Sequence, residues 1–184
     1  MEAKRVARAG VMTALLAVSA QVMLPLGPVP FTLQTLVLAM VPAVLDPATS
    51  VFTVLAYVVL GAVGLPVFAG FNGGIGALAG PTGGFLWGFV LGCALAGALA
   101  KVLDGRIGVY PRALTCAAAL VLVSYVCGTI QLMALLNLDL AGALAIAVIP
   151  FVVPDAVKIA VNTSFSRGIS CQTHISAKHL FFFV

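Results

Sequence analysis

The sequence predicts an all-α integral membrane protein, a bundle of six transmembrane helices with both termini in the cytoplasm. Three observations carry this. Apolar residues fill 62% of 184 positions, charged residues only 8%, and mean hydropathy is +1.22. A soluble domain carries about 25% charged residues, so this chain could not cover itself in water. The apolar residues are gathered into runs of membrane-crossing scale, separated by Pro- and Gly-rich turns, and the basic residues segregate to one set of those turns.

Six spans follow in order: Val6–Leu24, Phe31–Leu45, Val51–Leu65, Phe85–Val102, Ala113–Leu136 and Leu140–Val161. A helix crosses the hydrocarbon core in about 20 residues. The second and third spans, at about 15, must therefore tilt, extend past these limits or meet a thinned bilayer. Lys4, Arg5 and Arg8 lead into the apolar run of the first, which begins at Ala9. A basic start, an apolar run and Val18-Ser19-Ala20 would also suit a cleavable signal peptide. The apolar run continues to Leu24, however, and favours a retained helix. Pro25 to Pro30 makes the first turn, Asp46-Pro47 the second and the run from Gly64 to Gly84 the third. Pro42, Pro150 and Pro154 fall within or near spans, where neighbouring helices and water can satisfy the carbonyls they free. No second domain and no flexible linker is evident in residues 1–161.

The nine basic residues fix the orientation. Lys4, Arg5, Arg8, Lys101, Arg106, Arg112, Arg167 and Lys178 all fall on the cytoplasmic side of such a six-span chain, and Lys158 falls within a span. That is the positive-inside pattern. The net charge of +4 reports topology and contact with anionic lipid. A nucleic-acid partner is excluded, because a DNA binder shows a basic stripe on a soluble face.

Asp155 and Lys158 carry the chemistry. An ionisable side chain at membrane depth costs about 2.5–3.5 kcal/mol even on the lenient insertion scale, so such residues usually line a functional cavity. Three residues apart, they share a helix face and partly neutralise each other. A purely structural ion pair is the rival, but a buried pair is weak evidence for stability. The uncharged run Gly64–Gly84 supplies the second signal. Its glycines let backbone groups approach a ligand. Phe68, Phe71 and Phe85 offer apolar walls, and Asn72 offers a donor and an acceptor. Gly74, Gly76 and Ala79 match a dinucleotide fingerprint in spacing, yet no strand precedes them and no βαβ unit exists. Cys93, Cys116, Cys127 and Cys171 form no C-x-x-C pair, and His174 and His179 stand apart, so neither metal nor cofactor is expected.

Three stretches together resemble the BioY family, the biotin-specific substrate-binding (S) components of energy-coupling factor (ECF) transporters. They are Pro25-Leu26-Gly27-Pro28-Val29-Pro30-Phe31-Thr32-Leu33-Gln34-Thr35-Leu36, the loop Gly64 to Gly84 with Gly80-Pro81-Thr82-Gly83-Gly84, and Pro154-Asp155-Ala156-Val157-Lys158. The resemblance implies a six-helix S-component bundle in the plasma (inner) membrane of a prokaryote, with a biotin pocket near the outer face. It implies polar contacts to biotin from Asp155 and Lys158, closure by Asn72 with Gly73 and Gly74, and a lesser part for Gln34. It further implies a membrane coupling (T) subunit and two cytoplasmic ATPase subunits as partners, met through Gly10, Ala14 and Ala17 on the first helix. The chain itself has no phosphate-binding G-x-x-x-x-G-K-[ST] loop and is not the ATPase.

The residues suit biotin. Its ureido N–H groups can donate to Asp155, and Lys158 can meet either the ureido oxygen or the carboxylate. The alternative is an ion-coupled secondary transporter of a small carboxylate or vitamin-like solute, but repeated halves with paired broken helices are absent. An intramembrane enzyme lacks its constellation, since Asp155 is the one acid within the spans. Residues 162–184 depart from the family, which would end in a short basic tail. They are polar and Ser/Thr-rich, without helical periodicity, and are expected to be disordered or the product of a shifted reading frame.

Overall fold

The computed structural model describes residues 3–25 and 29–180, with side chains described through residue 164. Helices dominate: α1 (Ala3–Gln21), α2 (Gln34–Val44), α3 (Pro47–Ala62), α4 (Ile75–Ala79), α5 (Gly83–Val102), α6 (Val109–Leu136), α7 (Leu140–Ala147) and α8 (Ile149–Leu180). Two short strands, β1 (Met23–Leu24) and β2 (Phe31–Thr32), pair antiparallel between α1 and α2. A single 3-10 turn, Ala69–Phe71, lies ahead of α4. Helices α5 and α6 are long and apolar enough to cross a membrane, and α7 with α8 make a third crossing if the bent pair counts as one. Helices α2 and α3 are shorter apolar helices of 11 and 16 residues.

Several boundaries differ from those expected, each for a local reason. The first helix stops at Gln21, and Met23 and Leu24 turn into the ribbon, Met23 opposite Thr32 and Leu24 opposite Phe31. Pro25, Pro28 and Pro30 lack the N–H groups that a continued helix needs. The third span starts earlier, at Pro47, because Asp46 caps it: the carboxylate accepts from Thr49 N at 3.1 Å and from Thr49 Oγ1 at 2.8 Å. Those bonds, Thr49 hydroxyl first, hold the Asp46 carboxyl below its ordinary range, with Arg5 at 3.8 Å assisting. The last span is broken at Val148, where α7 and α8 meet at 42°. Pro150 accounts for the break, since its ring clashes with the preceding turn and it has no N–H to donate. The loop Gly64–Gly84 is not unstructured, as it holds the 3-10 turn and α4. Beyond residue 161, helical backbone continues to Leu180, and Asn162 and Thr163 are buried, with Asn162 Nδ2 donating to Ala39 O at 3.0 Å.

Basic residues gather at one end of the bundle. Lys4, Arg5 and Arg8 surround Asp46, while Lys101 and Arg112 stand across Leu45 and Pro47. Arg112 pairs there with Asp104. The ribbon, the segment between α3 and α5, and α7 form the opposite end.

The tightest packing joins α5 to α6. Gly84, Gly88 and Gly92 repeat every fourth residue, the spacing by which small residues let membrane helices approach closely. A Cβ on Gly88 would lie 2.5 Å from Ser124 Cα, and one on Gly92 would lie 2.7 Å from Leu120 O. Both neighbours are backbone and cannot swing aside. Gly92→Ala should therefore destabilise the bundle by about 1–3 kcal/mol, the usual cost of overpacking. Gly10→Ala, with no atom within 4 Å of the added carbon, should be neutral or gain up to about 1 kcal/mol from helix propensity. Denaturant unfolding in detergent distinguishes the two; equal effects would refute the close α5–α6 approach.

Candidate ligand-binding site

The buried face of α8 carries Phe151, Asp155, Lys158 and Asn162, spaced four, three and four apart as one helical stripe requires. Asp155 is 3% and Lys158 8% exposed. Lys158 Nζ lies 2.8 Å from Asp155 Oδ1. It also donates to Thr35 Oγ1 at 2.8 Å and to Thr32 O at 2.7 Å, so all three ammonium hydrogens are engaged. The Phe31 ring centroid lies 4.0 Å from Nζ, a cation–π contact. Phe31 in turn stacks on Phe151, with centroids 6.2 Å apart. The ribbon therefore serves the charged pair, because pairing β2 with β1 fixes both the Thr32 carbonyl and the Phe31 ring against the ammonium.

Asp155 is held from two further helices. Thr35 on α2 donates to Oδ1 at 2.8 Å, and Tyr125 on α6 donates to Oδ2 at 2.6 Å. A carboxylate offers about four acceptor positions, and three are used here. One remains on Oδ2, whereas Lys158 has no donor left. An incoming N–H group can meet Asp155 directly, while an incoming acceptor must displace Thr32 O or Thr35 from Lys158.

Beside this pair lies a small cavity lined by Thr35, Tyr125, Asp155 and Lys158 and by the rings of Phe85, Phe89 and Phe151. Pro30, Thr82, Phe85 and Phe89 also line a second, larger chamber beneath the segment between α3 and α5.

The structure gathers only part of the expected set. Asp155, Lys158 and Phe85 line the inner cavity. Phe68, Asn72 and Gly73 line the outer chamber. Phe68 is buried edge-on against Tyr57, and the Asn72 amide turns back to donate to Ala69 O at 2.9 Å. Gly74, with φ +89°, donates its N–H to Gly61 O and lines neither chamber. Phe71 is 71% exposed, and its N–H donates to Gln21 Oε1 at 2.8 Å. Gln34 is buried with its amide on Tyr57 OH at 2.9 Å, away from both chambers. On α1, Gly10 and Ala14 are exposed, whereas Ala17 packs partly against the core. Thr35, Tyr125, Phe31, Phe89 and Phe151 are additions to the expected set. Phe31 and Thr35 lie within the Pro-rich stretch that also holds Gln34, and helical spacing from Phe85 points to Phe89. No sequence signal marks Tyr125.

Fold and site together define a multi-pass helical membrane protein that encloses a small, partly polar solute. The BioY family model matches residues 1–173. A biotin transporter BioY of Thermotoga maritima is 39% identical over 158 residues, covering 86% of this chain and 90% of that protein. A probable biotin transporter BioY of Pyrococcus horikoshii is 40% identical over 173 residues, 94% of this chain and 100% of its own length. A crystal structure of the S-component for biotin from an ECF-type ABC transporter superposes with a TM-score of 0.83 at 26% identity, over 91% of this chain and 90% of that one. The chain belongs to the BioY family.

The geometry makes Thr35 a bridge between both charges. Thr35→Val should cost about 1.5–3 kcal/mol, the range for hydrogen bonds to charged groups. Lys158→Met, which strands a buried carboxylate, should cost about 3–5 kcal/mol. Unfolding in detergent measures both; a Thr35→Val variant as stable as the parent would contradict the bridging arrangement.

Proposed function

We propose that this chain captures biotin as the substrate-binding component of an ECF-type transporter. The observation that carries the proposal is the buried Asp155–Lys158 pair opening into an aromatic-walled cavity, in a chain of the BioY family. Biotin presents a flat ureido ring with two N–H donors and one carbonyl acceptor, a thioether ring and an aliphatic tail ending in a carboxylate. The open position on Asp155 Oδ2 suits a ureido N–H. Lys158 answers either the ureido oxygen or the carboxylate once it gives up Thr32 O or Thr35. Phe85, Phe89 and Phe151 suit the thioether ring and the tail. Asn72 and Gly73 stand at the outer chamber, where the loop would close over the ligand.

Six crossings are assigned to α1, α2, α3, α5, α6 and the bent pair α7–α8, with the basic end in the cytoplasm of a prokaryotic cell and the cavity toward the outer face. That orientation follows the positive-inside rule. Uptake would draw its energy from two ATPase subunits acting through a membrane coupling subunit. The exposed small residues Gly10 and Ala14, with Ala17 at the edge of the core, suit close approach by a partner helix.

Radiolabelled biotin binding to the purified chain tests the proposal. The parent should bind tightly, and Asp155→Asn and Lys158→Ala should each weaken binding by about 10- to 100-fold, the effect of losing a hydrogen bond to a charged group. A folded parent that does not bind biotin would overturn the assignment.

A further inference from the structure

The segment between α3 and α5 is attached to the bundle in two unequal ways. Its first half is built into the core. Phe68 is 3% exposed, its ring 5.5 Å from that of Tyr57, and Tyr57 OH donates to Val67 O at 2.9 Å. Gln21, at the end of α1, donates to Phe68 O at 3.1 Å and accepts from Phe71 N at 2.8 Å. Gly74 N then donates to Gly61 O at 2.6 Å and closes this half onto α3.

The second half is held far more lightly. Helix α4 is five residues long, Leu78 is its one buried side chain, and Ile75 is 74% exposed. Among the described hydrogen bonds, a single side chain ties α4 and the turn after it to a distant helix. Gln131 Nε2, on α6, donates to Leu78 O at 2.9 Å and to Gly80 O at 2.7 Å. Leu78 O stands in the last turn of α4, where a helix has no intrahelical donors left to offer, while Gly80 O, just beyond it, also accepts from Gly83 N at 3.0 Å. Both amide hydrogens of Gln131 are used in these two bonds. The same lightly held residues, Gly76, Ala77 and Gly80, roof the outer chamber.

We infer that Gln131 is a latch: it holds α4 down over the chamber and sets how long a captured ligand stays. The inference rests on the biotin reading for its ligand but not for its mechanics. Gln131 is a positioning residue, acting on the roof through Leu78 and Gly80 and not on the solute. With the first half fixed by Phe68, Tyr57 and Gln21, opening becomes a swing of residues 75–82 about the Gly73-Gly74 step. Gly74 sits at φ +89°, and no atom lies within 4 Å of where its Cβ would be. Breaking the two Gln131 bonds is the step that releases the swing. Gln131 also shares α6 with Tyr125, six residues earlier, so the helix that latches the roof is the one that braces Asp155.

The test uses the full chain and Gln131→Met, which keeps the side-chain length and removes both donors. Two neutral hydrogen bonds lost from the closed state should speed biotin dissociation by on the order of tenfold. Because the same two bonds close the ligand-free roof, association should quicken in step, so that affinity changes less than the dissociation rate does. In the ligand-free protein, amide hydrogen exchange over residues 75–80 should quicken, while residues 66–72 keep the parent's protection. An unchanged dissociation rate overturns the latch. So does faster exchange spread evenly over the bundle, which would mark Gln131 as a general stabiliser. If the folded parent does not bind biotin, the exchange pattern alone decides: quickening confined to 75–80 supports the latch, and no change there overturns it.

Discussion

Holding two opposite charges together inside an apolar bundle is the constraint around which the rest of this structure is arranged. Removing a carboxylate and an ammonium from water costs several kcal/mol each, and their mutual attraction repays this only when the remaining donors and acceptors are satisfied. Here four elements converge on the pair. Helix α2 brings the Thr35 hydroxyl, the ribbon brings the Thr32 carbonyl and the Phe31 face, α6 brings the Tyr125 hydroxyl, and α8 brings both charges. The ribbon that follows α1 thus places a backbone carbonyl, that of Thr32, against the ammonium.

The cavity exists because α5 presents two different stripes. Gly84, Gly88 and Gly92 draw it onto α6 almost backbone to backbone. Phe85 and Phe89, one position round the helix, face the enclosed space. Close contact on one stripe and bulk on the next give a rigid wall that is apolar without filling the site. The bend between α7 and α8 works alongside. By ending α7 at Ala147, it sets Ala147 and Phe151 at the edge of the cavity and turns Asp155 and Lys158 inward.

Much of this is legible in the sequence, and the exceptions have physical causes. Asp155 and Lys158 declare themselves because a charge within an apolar run has few ways to be tolerated, and a spacing of three gives one face. Thr35 and Tyr125 do not, since hydroxyls are common in membrane helices and nothing local tells which ones point at a charge on another helix. The glycine ridge of α5 is plain at every fourth residue but begins inside a run that reads as a loop. Asn72, Gly74 and Phe71 carry hydrogen bonds that hold their loop in place, a role for which residue types suited to ligand contact are equally suited. Gln21 and Gln131 bind backbone carbonyls, and backbone carbonyls leave no mark in a sequence.

The central claim is that the charged pair exists for a ligand and is not required by the fold. Replacing both charges at once, Asp155→Leu with Lys158→Met, separates the two. A buried ion pair exchanged for apolar residues of similar size commonly leaves stability unchanged or improves it. The account predicts a double variant that unfolds in detergent at or above the parent's midpoint and binds no biotin. A double variant that still binds biotin as the parent does would contradict it.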